Sequence, residues 1–119
     1  MSAELIQFNS HDEWLAYRRG GLGGSDAAAS IGVDPWKSRL QLWAEKCGMT
    51  DDSVDNEAVQ WGKRLEPLVA TAYSEATGRE LTDMGLHTYV HKDLPFRRAS
   101  IDRIQKVNGG HGVLEIKTT

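Results

Sequence analysis

The run from Arg97 to Thr119, RRASIDRI followed by QKVNGGHG and VLEIKTT, constrains the fold of this chain more than any other stretch. Two β-rich segments flank Asn108-Gly109-Gly110, and glycine supplies the positive φ that a tight hairpin turn demands. The stretch therefore reads as an antiparallel hairpin. With an even loop, either Gly109-Gly110 or Asn108 to His111, Asp102 lies opposite Lys117. Side chains alternate faces along a strand, so Glu115 and Lys117 then share the face of Asp102 while Ile116 turns away. A three-residue loop would place Asp102 on the opposite face, because a slip of one residue inverts every side chain.

Two carboxylates and an ammonium converging on rigid strands suit a hard cation. Mg²⁺ takes oxygen ligands and is usually held through one or two carboxylates plus substrate phosphate oxygens. A neighbouring lysine can orient a water and offset negative charge developing on phosphorus. Glu-x-Lys alone is also what an ordinary solvated strand face carries. The apolar run Gly112-Val113-Leu114 leading straight into Glu115 favours a buried strand that delivers a charge to its end.

A chain of 119 residues, 39% hydrophobic and 26% charged, reads as one soluble domain with a modest core. No apolar run approaches membrane-spanning length, and MSAELIQFNS lacks the basic-then-apolar order of a signal peptide, so a cytoplasmic protein without membrane contact is expected. The single Cys47 excludes an intramolecular disulfide framework, a Cys-rich zinc site and a four-thiolate iron–sulfur cluster; it reads as a small buried hydrophobe near a helix end. His87 and His91 fall on one strand face with no third ligand in view, and read as a partly exposed pair. The net charge of −3 excludes a histone-like coat for nucleic acid. The basic residues nonetheless bunch as Arg18-Arg19, Lys63-Arg64 and Arg97-Arg98, which fits a phosphate-lined groove around an acidic centre.

Ser10-His11-Asp12-Glu13 is a capping box that opens a short helix through Trp14, Leu15 and Tyr17, with Arg18 and Arg19 in its last turn. The loop Gly20-Gly21-Leu22-Gly23-Gly24-Ser25-Asp26 leads into a small-residue helix, where backbone amides can cradle an anion; Ser25 as a plain N-cap explains it equally well. Asp26 would weaken such a site unless it points away. Ser38 to Gln41 forms a second capping box, and the helix it opens stops at Gly48. Thr50 to Asn56 reads as a polar loop. A long helix is expected from about Asp55 to Thr77, with Trp61, Leu65, Leu68, Val69 and Ala72 as its core stripe and a kink at Glu66-Pro67. Glu66 is either a surface residue or a third acid aimed inward at the hairpin. Leu81 to Val90 reads as a strand, turned by Lys92 to Pro95 towards Phe96. Helices come first and a three-strand antiparallel meander last, an α+β order in which the N-terminal helices pack on the sheet.

The blocks GGLGGSDAAASIGVDPWKSRLQLWAEKCG, WGKRLEP, SID and GVLEIKTT together resemble the phage-type exonuclease/recombinase family of lambda exonuclease and the YqaJ-like proteins, within the restriction-endonuclease-like PD-(D/E)xK superfamily. The likeness covers nearly all of the chain from Arg18 onward. It implies a restriction-endonuclease-like core and a Mg²⁺-dependent nuclease, with Mn²⁺ able to substitute, that degrades double-stranded DNA ends in the 5′→3′ direction for a recombinase. Residue by residue, it implies Asp102, Glu115 and the Ile116 carbonyl as metal ligands, Lys117 as holder of the attacking water, and Glu66 as an additional catalytic acid and metal ligand. Arg18 or Arg19 together with Ser25 would receive the DNA 5′-phosphate. A homotrimer around DNA, a single-strand annealing partner and a phage or prophage origin in a bacterial host follow from the same likeness.

The family usually carries Pro before the aspartate and Gly after it, where this chain has Ile101 and Arg103; strand alternation would point Arg103 away from the acids. Family members also continue past ExK with a helix and a further strand, so residues 1–119 are expected to be the N-terminal and central part of a single nuclease domain, ending after the ExK strand. Two alternatives stand beside the exonuclease: a site- or structure-specific endonuclease of the same superfamily, and a non-catalytic DNA-end-binding recombination module.

Overall fold

A computed structural model describes residues 3–50 and 56–118 of the chain. In order, the elements are β1 (Ala3–Gln7), α1 (His11–Arg18), a single 3-10 turn (Gly24–Asp26), α2 (Ala27–Ser30), α3 (Arg39–Lys46), α4 (Glu57–Thr77), β2 (Leu81–Thr82), β3 (His87–His91), β4 (Arg98–Ala99), β5 (Arg103–Val107) and β6 (Gly110–Leu114). The fold is α+β, and its elements fall into two compact units: residues 1–52 with 85–100, and residues 53–84 with 101–119.

In the first unit β3 is the central strand, paired antiparallel with β1 from Ala3–His91 to Gln7–His87 and with β4 at Tyr89–Ala99 and Val90–Arg98. Val90, Leu42 and Ala29 are buried here, with His87 and Thr88. The capping box at Ser10 forms with one change: Ser10 accepts from Glu13 N–H, while the Glu13 carboxylate takes the amide of Asn9. Trp14 on α1 and Ser100 both donate to the His87 carbonyl, fixing the helix to β3. Arg98 lies over the Tyr17 ring at 4.1 Å and donates to the Tyr17 carbonyl. The backbone of Gly21 passes so close to Arg98 that a Cβ there would sit 2.5 Å from its Nε, and only glycine fits.

In the second unit the strand order is β2-β5-β6. The hairpin is confirmed, with a two-residue loop at Asn108-Gly109, and Gly109 has a φ of 77°. Its register differs from both expected loops. Val107 pairs with Gly110 and Arg103 with Leu114, so continuing the ladder one step sets Asp102 opposite Glu115 rather than Lys117. The shift is two residues, so the parity of the pairing is the expected one, while Asp102, Glu115 and Lys117 themselves lie just beyond the paired strands. Helix α4 starts from the Asn56 cap, which accepts from Val59 N–H, and ends at Gly78 with φ 68°. Its C-terminal half is tied to β5 through Tyr73, whose hydroxyl donates to Gln105 at 2.7 Å, while Arg79 reaches both partners.

Several expectations require correction. The meander is instead two three-stranded sheets, because Gly85, at φ 66°, breaks the run Leu81–Val90 into β2 and β3. β1 was not anticipated; its partner lies some 80 residues away, as Leu5 opposite Tyr89 shows, and no local pattern announces it. The α4 stripe is not core: Trp61, Leu65, Leu68, Val69 and Ala72 are all exposed, and Ala70 is the buried residue of the helix. Helical spacing establishes that an apolar face exists, but only a packing partner buries it. Helix α4 continues through Pro67, in keeping with the single long helix expected. Cys47, at the end of α3, is exposed. His87 is buried, with Nδ1 2.8 Å from the Gly85 carbonyl, and His91 uses its Nδ1 to accept the Asp93 and Leu94 amides, so the pair shapes turns. The start of α4 at Asp55 and most of the Thr50–Asn56 loop lie outside the described residues. Among the described residues no helix is long and apolar enough to cross a membrane.

Candidate catalytic and phosphate-binding sites

Where β5 begins and β6 ends, the second unit gathers the hairpin acids. Asp102 occupies the bend before β5, and its Oδ2 accepts the Ile116 N–H at 2.7 Å, which holds the carboxylate against the segment that follows β6 and carries Glu115. On either side of Ile116, Lys117 Nζ sits 2.8 Å from Glu115 Oε1. The hydrogen bond from Lys117 to Glu115 and the charge of Glu115 push the lysine above its ordinary range, with desolvation opposing and the charge of Asp102 adding. Lys117 thus senses both acids and is an ammonium at neutral pH, a donor and cation rather than a base.

The donor set suits a hard cation: two carboxylates and the adjoining Ile116 carbonyl are oxygen ligands on strand ends. Among the described residues no group of three or more His, Cys, Asp or Glu side chains is arranged to hold a metal. Glu66 is engaged elsewhere. It does aim inward at the hairpin, but its Oε1 lies 2.9 Å from Nη1 of Arg103. Arg103 is buried, reaches Asp83 at 3.8 Å, and donates from the same Nη1 to the Asp102 carbonyl. A buried guanidinium demands a countercharge, and Glu66 supplies it. The expectation that Arg103 points away from the acids is therefore corrected: it contacts the one that stands apart from the other two.

In the first unit the loop after α1 brings Arg18 and Ser25 together, Nη2 donating to Oγ at 3.0 Å, with the guanidinium 5.5 Å over the Trp14 ring. Of the two arginines, Arg18 is the one that reaches Ser25. Most of the loop's amides are already engaged. Gly20, Gly21 and Leu22 donate to the carbonyls of Tyr17, Arg18 and Phe96, Gly23 donates to the Asp26 carboxylate, and Asp26 donates to Gly23. An anion here would meet the remaining guanidinium N–H groups and the Ser25 hydroxyl.

Asp26 does point away from that position. Its side chain is buried, Oδ2 accepting from Gly23 N–H at 2.9 Å and pairing with Lys46 Nζ at 3.0 Å. Burial pushes this carboxyl up, but the Gly23 amide, the hydrogen bond and charge of Lys46 and the charge of Arg18 outweigh it and hold it below its ordinary range. Lys46 also donates to the Arg18 carbonyl at 3.1 Å. Sequence reasoning did not find Lys46, since a lysine in the last turn of a helix is ordinary. The three basic doublets also prove unequal: Arg98 is spent on Tyr17, and Arg64 lies over Trp61 at 5.3 Å.

Residues 13–119 match the family described as the YqaJ-like viral recombinase domain, across both units and every site residue named above. The chain belongs to that family. The YqaJ-like assignment is supported by the uncharacterized protein YqaJ of Bacillus subtilis (strain 168), 36% identical over 121 residues that cover 98% of this chain and 37% of that protein. A protein of African swine fever virus is 38% identical over 55 residues, 46% of this chain and 16% of its own length. The YqaJ-like region described here thus spans about a third of the length of the Bacillus relative.

Proposed function

We propose that this YqaJ-like chain carries the acid and phosphate-binding elements of a Mg²⁺-dependent nuclease that degrades double-stranded DNA from its ends, 5′→3′, to produce single strands for recombination. The observation that carries the reading is the convergence of Asp102, Glu115 and a protonated Lys117 at one end of a rigid hairpin. Asp102, Glu115 and the Ile116 carbonyl would hold the cation, with Mn²⁺ able to replace Mg²⁺. The bound cation supplies activation of water and neutralisation of the departing oxygen. Lys117 orients the attacking water through its N–H donors and offsets charge growing on the phosphoryl oxygens. Arg18 and Ser25 receive the terminal 5′-phosphate and set the polarity. A homotrimer, a single-strand annealing partner and a site of action in the bacterial cytoplasm belong to the same proposal, on family likeness.

A second reading, a DNA-end-binding module without catalysis, is favoured by the engagement of Glu66 with Arg103, which leaves two carboxylates where the family likeness implies three. One experiment separates the readings. A linear duplex labelled at either terminus, with 5′-phosphate or 5′-hydroxyl ends, is incubated with Mg²⁺ or EDTA and with wild type or Asp102→Ala. Mononucleotides released from the 5′-phosphorylated end, with Mg²⁺ and in wild type alone, support the exonuclease. Tight end-binding with no product in Mg²⁺ supports the module. Cleavage indifferent to blocked ends points to an endonuclease.

A further inference from the structure

The Asp26–Lys46 pair does more than neutralise a buried acid. Lys46 arises from the last turn of α3, and its ammonium makes two bonds that point in different directions: to Asp26 Oδ2 at 3.0 Å and to the Arg18 carbonyl at 3.1 Å. Asp26 in turn holds the loop through the Gly23 amide at 2.9 Å. One ammonium therefore spans the two segments that carry the phosphate-binding side chains, the C-terminal end of α1 with Arg18 and the turn Gly24–Asp26 with Ser25. Across those two segments Arg18 Nη2 meets Ser25 Oγ at 3.0 Å. Charge follows the same logic. Asp26 is the immediate neighbour of Ser25, and an uncompensated carboxylate there would oppose an incoming phosphate; pairing with Lys46 offsets that charge.

We propose that Lys46 and Asp26 are positioning residues that set the separation of Arg18 and Ser25 and, through it, the preference for a phosphate-bearing DNA end. The proposal rests on the reading of Arg18 and Ser25 as the 5′-phosphate site. Neither residue of the pair touches the ligand: the Asp26 oxygen and the Lys46 donors are turned to each other and to backbone.

The test is equilibrium binding of the full chain, in EDTA so that no cleavage intervenes, to two otherwise identical duplexes bearing 5′-phosphate or 5′-hydroxyl ends. The proteins are wild type, Lys46→Met and Asp26→Asn, the last nearly isosteric and retained should the first fail to fold. Wild type is expected to favour the phosphorylated end by about tenfold, the scale of one charge-assisted contact. Each variant is expected to bring that ratio within about twofold of unity, with affinity for the hydroxyl end little changed. Variants that bind both ends more weakly but keep the wild-type ratio would show a purely structural pair and overturn the inference. A wild-type protein with no preference would overturn the phosphate-site reading beneath it, which the wild-type arm reports on its own. A double variant Asp26→Asn/Lys46→Met that regains the preference would assign the effect to charge balance alone and remove the positioning role.

Discussion

The two charged clusters are built on opposite principles. In the first unit, Asp26 and Lys46 side chains are 5% and 16% exposed and satisfy each other and nearby backbone, so their charges are consumed in holding Arg18 and Ser25 in place. In the second unit, Glu115 and Lys117 side chains are 66% and 78% exposed at the open end of a hairpin, and Asp102 is anchored by a single backbone amide. One cluster is a support; the other keeps its charges available. Substitution should accordingly cost folding stability in the first and chemistry in the second.

The sharpest way to break that contrast is Asp102→Ala, expected to lower Mg²⁺-dependent nucleotide release by about 10³-fold, the scale of removing a preorganised electrostatic group, with the melting temperature little altered. A variant that still cleaved DNA would dismantle the catalytic reading of the hairpin. Lys117→Met follows, with an expected loss of about 10²-fold in turnover and no change in melting temperature, because an exposed ammonium contributes to chemistry and little to folding. Lys46→Met should behave in the reverse sense. Leaving Asp26 buried and unpaired is expected to destabilise the protein by about 3 kcal/mol in denaturant titration. Were Lys117→Met to prove the more destabilising of the two, the comparison would fail.

Glu66→Gln tests the odd acid. Its side chain is 34% exposed and its partner Arg103 10%, so the pair is only partly shielded from water, and about 1 kcal/mol of stability should be lost. If Glu66 serves Arg103 alone, Mn²⁺ affinity measured by titration should stay within about twofold of wild type. A loss matching that of Asp102→Ala would return Glu66 to the metal site. The smallest effect concerns pH. The Asp26 carboxyl is held below its ordinary range in the folded protein, so its contribution is fully present above the unfolded value and is lost as pH falls through the lower folded one. Acid below about pH 4 should loosen the first unit, seen as faster amide exchange around Gly23, and Asp26→Asn should remove that part of the pH dependence.

Short-range rules made much of this legible in the sequence. Strand alternation predicted one face for Asp102, Glu115 and Lys117, and the register, though two residues from expectation, keeps the parity that this reading needs. The Ser38–Gln41 capping box and the Gly48 and Gly78 stops formed where side-chain chemistry within one turn dictated. Arg18 and Ser25, seven residues apart, were both in view as a phosphate pair, but only the contact at 3.0 Å selects Arg18 over Arg19.

What tertiary structure decided involves partners far apart along the chain. Lys46 meets the Arg18 carbonyl across 28 residues, and Arg103 meets Glu66 across 37. Neither lysine nor arginine carries any local mark of such an engagement, because an ion pair is set by which surfaces approach and how much water leaves. The same holds for the α4 stripe, whose period was correct and whose burial was not. By itself the sequence determined the hairpin and the caps of its helices, fixed by geometry within a turn or a strand. The fate of each remaining charge was decided by the fold, because only packing chooses which countercharge a buried group will find.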